Sequence, residues 1–231
     1  MNEVRGTQLN IHLKRVPLFS HLNDAQLSIL ARTGFTGRFP KGRIIILQDD
    51  PGDTFYIVVS GRVKVTLLNE NGKEFVLSIL EEGAFFGELA LLDDETRSAS
   101  VIIVEDATLF MLARIQFYQL IENYPSILRK VLEVICVRLR HADEKIESLA
   151  FLDVYGRTIQ ALQQLAHDQG TKTKNGIEIL HAPTHQELSS MVGASREAIT
   201  RIIKVLKENR TLVSYKGRKV VLGKQTLRPI K

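Results

Sequence analysis

The chain has 231 residues, 44% hydrophobic and 25% charged, the balance of an ordinary globular protein with room for two modest cores. Its single cysteine, Cys136, excludes an intrachain disulfide and a cysteine-ligated iron–sulfur cluster. The six histidines lack metal-ligand spacing, so no metal is expected, with only a haem held through one histidine left open. The net charge of +5 is unevenly placed: residues 1–150 carry 17 Lys/Arg against 20 Asp/Glu, and residues 151–231 carry 14 against 6. Basic charge gathered in one region is the footprint of phosphate-backbone binding.

A helical stretch over Asp24 to Ala31 precedes a strand-rich region, 35–113. There Gly42, Gly52, Gly61, Gly72 and Gly83 recur at intervals of 9 to 11 residues. Turn chemistry marks each one: Lys41-Gly42, Pro51-Gly52-Asp53, Ser60-Gly61, Asn71-Gly72 and Glu82-Gly83. Between the turns, apolar residues alternate: Phe55, Ile57, Val59; Val63, Val65, Leu67; Phe75, Leu77, Ile79. Short strands at such spacing predict a β-sandwich or barrel, with the preceding helix packed on its outside. Aliphatic runs such as Val101-Ile102-Ile103-Val104 are too short to span a membrane. The N-terminus also lacks the pattern of a secretory signal, so a cytoplasmic protein without a membrane partner is expected.

One long helix is predicted from about Pro125 to about Leu149, proline being suited to its first turn. Leu128, Leu132, Ile135, Leu139, Ala142, Ile146 and Leu149 alternate spacings of four and three, with charged residues between. That narrow stripe is a coiled-coil seam, and it predicts a homodimer.

The remainder mixes helical periodicity with a β-rich tail, and Asp168 to Gly176 reads as a polar, flexible loop. Thr184 with Glu187 three residues on forms a capping box for a short helix, whose buried side is Leu188, Met191 and Val192. Gly193 can take the positive φ of a turn, and Ser195 caps a second helix. On that helix Ile199, Ile202, Ile203 and Leu206 cluster within about 100° of arc. Arg196, Glu197, Thr200 and Arg201 fall on another face. Arginine pairs bidentately with guanine and glutamate accepts from cytosine, so this face suits major-groove readout of double-stranded DNA. Lys204 and Lys207 are placed for phosphates. Thr211 to Tyr215 and Lys219 to Leu222, flanking Lys216-Gly217-Arg218, look like a two-stranded wing with a basic tip. No nucleophile–base pair or metal site for catalysis stands out, so an enzyme is not expected.

Over residues 17–223 the chain resembles the cyclic-AMP receptor protein / FNR family of bacterial transcription regulators. Four blocks carry the resemblance, in the family's order: Phe85-Phe86-Gly87-Glu88-Leu89-Ala90-Leu91, Arg97-Ser98-Ala99, Leu149-Ala150-Phe151-Leu152-Asp153-Val154 and Gly193-Ala194-Ser195-Arg196-Glu197. The resemblance implies an α+β architecture: a jelly-roll-like β-roll over 1–124, a dimerisation helix over 125–152, and a winged helix-turn-helix over 153–231. It implies a cyclic nucleotide, cyclic AMP first, as regulatory ligand. Gly87, Glu88, Arg97 and Ser98 match the phosphate-binding cassette, arginine and serine holding the phosphate and glutamate the ribose hydroxyl. Leu77, Ser78, Leu89 and Arg138 fall to the same pocket. Thr184, Gln186, Ser195, Arg196, Glu197, Thr200, Arg201 and Lys204 fall to the DNA contact. Arg196, Glu197 and Arg201 match members that read TGTGA-type half-sites. The segment Asp168 to Gly176 corresponds to the surface through which members touch RNA polymerase.

The chain departs from the family pattern in having one residue fewer between Glu88 and Arg97, in Phe35 and Gly37 at the β-domain polymerase contact, and at two positions of the dimer helix. Where cyclic-AMP-responsive members carry a Thr-Ser pair against the adenine, this chain has Ala142 and Asp143. A carboxylate there accepts from guanine N1 and N2, which admits cyclic GMP or cyclic di-GMP, or it points to solvent. Two other functions stay open: a family regulator that binds DNA without a nucleotide, and a regulatory subunit using only the β-roll. The winged segment argues against the second.

Overall fold

The computed structural model describes Leu9, residues 11–70 and residues 74–223, and the chain divides into two compact units, Met1–Arg140 and His141–Lys231. In the first unit, α1 (Asp24–Thr33) opens on a capping box in which Asn23 and Gln26 exchange side-chain and backbone hydrogen bonds. Six strands follow: β1 (Phe35–Phe39), β2 (Ile44–Ile46), β3 (Thr54–Leu68), β4 (Glu74–Leu80), β5 (Phe85–Phe86) and β6 (Ser100–Ala113). All pairings are antiparallel, in the order β1-β6-β3-β4, with β2 added on β6 and β5 on β3. A single turn, α2 (Leu89–Leu92), lies between β5 and β6; α3 (Arg114–Asn123) and α4 (Pro125–Phe151) come after them.

Successive side chains on a strand point to opposite faces, and β3 and β6 use both. Phe55, Ile57 and Val59 join Leu27, Leu30, Phe110 and Phe117 in one core cluster. Val58, Val63, Val101, Ile103 and Leu109 form another with Ile46 and Phe86. The first cluster also takes Ile127 and Val131 from α4, with Val134 and Ile135 at its edge. Fully burying two such aliphatic side chains stabilises the start of α4 by about 1.5–3 kcal/mol each.

Two expectations for this unit need correction. Ser60-Gly61 is not a turn between strands: β3 runs through it, because β6 pairs with residues on both sides of the glycine and irregularities in register absorb it. In β4 it is Val76 that is buried, while Ile79 faces out, because the register against β3 shifts between Val65 and Thr66. The Asn71-Gly72 turn lies outside the described residues.

In the second unit, α5 (Val154–Gln169) is capped by Asp153, whose carboxylate accepts from the Gly156 amide at 2.8 Å. β7 (Thr171–Thr173), β8 (Gly176–Ile179), α6 (His185–Val192), α7 (Arg196–Glu208), β9 (Leu212–Lys216) and β10 (Lys219–Leu222) complete it. Its sheet has the order β7-β8-β10-β9, with antiparallel pairing throughout. The core holds Leu162 and Ala166 of α5, Leu188 and Val192 of α6, Ile199, Ile203 and Leu206 of α7, and Leu212, Val220 and Leu222 of the wing. The segment Asp168 to Gly176 is not a loop. Asp168 and Gln169 end α5, and the β-branched Thr171 and Thr173 form β7, joined to β8 by the two residues Lys174 and Asn175. Among the described residues, no helix is long and apolar enough to cross a membrane.

Candidate ligand pocket and DNA-reading surface

The cassette begins where β5 ends. Gly87 takes a φ of +81°, which turns its carbonyl toward Arg97; a Cβ there would sit 2.8 Å from Nη1 of that arginine. Arg97 Nη1 donates to the Gly87 carbonyl at 2.8 Å and Nη2 to the Thr54 carbonyl at 2.9 Å. The guanidinium also lies 5.9 Å from the centre of the Tyr56 ring. Arg97 is only 5% exposed. Burial lowers its pKa, opposed by Tyr56, Asp53 and Glu88 and reinforced by Arg114. An arginine stays charged at neutral pH even so, and the cassette therefore presents a cation fixed by backbone carbonyls.

Glu88, beside it, is 2% exposed. Its Oε1 accepts from Arg138 Nη1 at 2.6 Å, and Arg138 also donates to the Phe85 carbonyl while lying 5.0 Å from the Phe85 ring centre. Glu88 Oε2 is buried with no hydrogen-bond partner among the described residues. Leaving a buried charged acceptor unsatisfied costs more than 1–3 kcal/mol, roughly, so this oxygen is a place for a donor. The structure thus brings Gly87, Glu88, Arg97 and Arg138 together. Leu77 is half-buried and Ser78 exposed on β4, Leu89 is exposed at the start of α2, and Ser98 is exposed beside Arg97. Ala142 and Asp143 are exposed, on the part of α4 that belongs to the second unit.

In the second unit the Thr184 hydroxyl accepts from the Glu187 amide at 3.2 Å, and Glu187 Oε2 accepts from the Thr184 amide at 2.7 Å. Gly193 ends α6 with φ 68° and ψ 42°, the left-handed cap that reverses the chain into α7. Ser195 caps α7 by accepting from the Ala198 amide at 3.2 Å. Ile199, Ile203 and Leu206 point into the core, while Arg196, Glu197, Thr200, Arg201 and Lys204 are all exposed. A groove of about 330 Å³ runs between the start of α6, the start of α7 and the wing tip, bordered by Thr184, Gln186, Arg196 and Arg218. Arg196 and Arg218 make its rim basic.

Comparison with known proteins agrees with both halves. Residues 36–124 match the cyclic nucleotide-binding domain and residues 156–229 the Crp-like helix-turn-helix domain. The cAMP-activated global transcriptional regulator CRP of Salmonella typhimurium is 37% identical over 187 residues, covering 80% of this chain and 88% of the relative. The chain belongs to the Crp/Fnr family of transcription regulators. The cyclic AMP receptor protein of Thermus thermophilus is 34% identical over 197 residues, covering 85% of this chain and 88% of that one. A solved structure, the c-di-GMP responsive global regulator CLP of Xanthomonas campestris, superposes with a TM-score of 0.75 at 28% identity, covering 84% and 96%. As a Crp/Fnr protein the chain is a DNA-binding transcription regulator with a cyclic nucleotide-binding domain, in a family of regulators rather than enzymes.

Within the Crp/Fnr frame, Thr184 and Ser195 use their hydroxyls as helix caps, which constrains their part in any DNA contact. His185 and Tyr215 escaped the sequence reading. Their rings stack with centroids 5.0 Å apart, an aromatic pair between a helix and a wing strand that no periodicity marks. Burial, then the cations Lys207 and Arg196, hold the His185 pKa below its usual value. Tyr215, whose hydroxyl donates to the Pro183 carbonyl, has its pKa pushed well up by burial.

Proposed function

We propose that this Crp/Fnr regulator is a homodimer whose grip on a two-fold symmetric DNA site is controlled by a cyclic nucleotide, cyclic AMP first. The observation that carries it is Glu88 Oε2, buried without a hydrogen-bond partner among the described residues, one residue from a glycine whose carbonyl holds Arg97. A ribose hydroxyl satisfies that oxygen, Arg97 neutralises the cyclic phosphate, and Ser98 donates its hydroxyl to it. Arg138 ties Glu88 to α4, so a ligand on Glu88 acts on the helix that joins the two functions. The cAMP-activated Salmonella relative supports cyclic AMP. Asp143, together with the c-di-GMP responsive neighbour, favours a guanine nucleotide as second reading. Calorimetric titration with cyclic AMP, cyclic GMP and cyclic di-GMP separates them; heat from none would remove the ligand assignment.

On the DNA side, Arg196, Glu197 and Arg201 read a TGTGA-like half-site, Thr200, Gln186 and the caps frame it, and Lys204 holds phosphate. Half-sites lie about one helical turn apart. Arg196→Ala is expected to weaken operator binding by about 1–3 kcal/mol and to relax discrimination at one guanine. Fluorescence anisotropy on single-base variants reads this out, and an equal loss on every duplex would reduce Arg196 to a phosphate contact. The segment Asp168 to Gly176, which holds the exposed strand β7 and its turn into β8, is the proposed RNA polymerase contact. Cytoplasmic location follows from the same role.

A further inference from the structure

The polar contacts at the base of the wing give work to a side chain outside the recognition face. Thr200 Oγ1 donates its one proton to the Arg196 carbonyl at 2.9 Å. Toward His185 Nδ1, 3.1 Å away, the same oxygen can therefore only accept. With the Thr200 proton on the helix carbonyl, the donor is His185, its ring protonated on Nδ1. The other side of the clamp is aromatic: the His185 ring lies on Tyr215 with planes 17° from parallel, and Tyr215 is anchored through its hydroxyl to the Pro183 carbonyl. One imidazole thus joins three elements, α6 that carries it, α7 through Thr200 and β9 through Tyr215. Thr200 stands one turn after Arg196 and next to Arg201, so whatever fixes Thr200 fixes the turn that presents the reading side chains.

We propose that His185 is a positioning residue for DNA recognition: by donating to Thr200 while stacked on Tyr215, it locks the first turns of α7 against the wing and sets the angle at which Arg196, Glu197 and Arg201 meet the bases. This rests on the reading role given to α7 above. Thr200 then serves as the receiving end of the clamp and has no proton left to give a base. The neutral ring that the clamp uses is also the form that burial and the neighbouring cations favour.

The test uses the full chain with cyclic AMP, cyclic GMP and cyclic di-GMP all present, and a duplex that the unaltered protein selects from a random library. His185→Asn keeps a donor where Nδ1 stands, His185→Gln moves it to where Nε2 stands, and His185→Ala removes it. Affinity for the selected duplex is expected to fall about tenfold in the Gln and Ala variants, the effect of losing one hydrogen bond. Affinity for a scrambled duplex should hold, and Asn should recover most of the loss. In the ¹⁵N spectrum of the free protein, the His185 ring should show the Nδ1–H tautomer. Equal losses on both duplexes, Asn no better than Gln, or an Nε2–H tautomer would each overturn the assignment. Should the Ala variant fail to fold, the Asn–Gln pair and the ring spectrum still decide. If selection returns no preferred sequence, the reading role of α7 falls, and the tautomer alone decides for or against the clamp.

Discussion

Arg97→Gln is expected to remove nucleotide binding while leaving the second unit's basal grip on DNA unchanged. In the pocket the guanidinium is buried and fixed by the Gly87 and Thr54 carbonyls at 2.8 and 2.9 Å. A cyclic phosphate brought there exchanges water for a preorganised cation, while the half-buried Arg138 nearby is engaged with Glu88. Truncating one member of a buried, hydrogen-bonded charge pair costs about 2–5 kcal/mol, so the dissociation constant should rise at least about 30-fold. Glutamine keeps one amide donor for the two carbonyls but no charge, so part of the effect will appear as lower stability. Thermal denaturation without nucleotide measures that part, and the nucleotide-induced rise in Tm measures the rest. Retention of that rise at wild-type nucleotide concentrations would mean that Arg97 braces the turn and does not hold a phosphate.

The features that could be read from the sequence are those decided within four residues. The Thr184–Glu187 capping box, the left-handed Gly193 and the buried stripe Ile199, Ile203, Leu206 stand as their spacing implies. The wing strands, too, fall on the two short apolar stretches either side of Lys216-Gly217-Arg218. Contacts between distant segments were not legible in this way. Arg97 reaches Thr54 across 43 residues and Arg138 reaches Glu88 across 50; only the family pattern, not composition or period, placed them at one pocket. The phase of β4 failed for the same reason, since a register shift against β3 is set by the partner strand and not by Phe75, Leu77 or Ile79 themselves. The β7–β8 hairpin was hidden by its polar composition: Thr171-Lys172-Thr173 has the lysine of a solvated edge and no apolar side chain to announce a strand.

Leu139→Glu with Ile146→Glu is expected to separate the proposed dimer into monomers. The face of α4 that meets the β-roll core is Ile127, Val131, Val134 and Ile135. The seam residues further along are left open: Leu139 is 62% exposed, Ile146 64% and Leu149 47%, on a helix of 27 residues. An apolar stripe of that length is what a coiled-coil partner covers. Ile135, predicted for the seam, rests instead at the edge of the roll core, while Leu132 before it is 50% exposed. In a two-fold dimer each substitution occurs twice, and the four lost side chains represent on the order of 6–12 kcal/mol of burial, before like charges are brought together. Sedimentation at micromolar concentration should show the change directly. Operator affinity should fall by a factor of about 10² to 10⁴, because two linked reading heads become two independent ones. The two effects must come together: a variant that sediments as a monomer yet keeps full operator affinity would mean that each reading head suffices alone. A variant that remains a dimer would place the interface elsewhere than on this stripe.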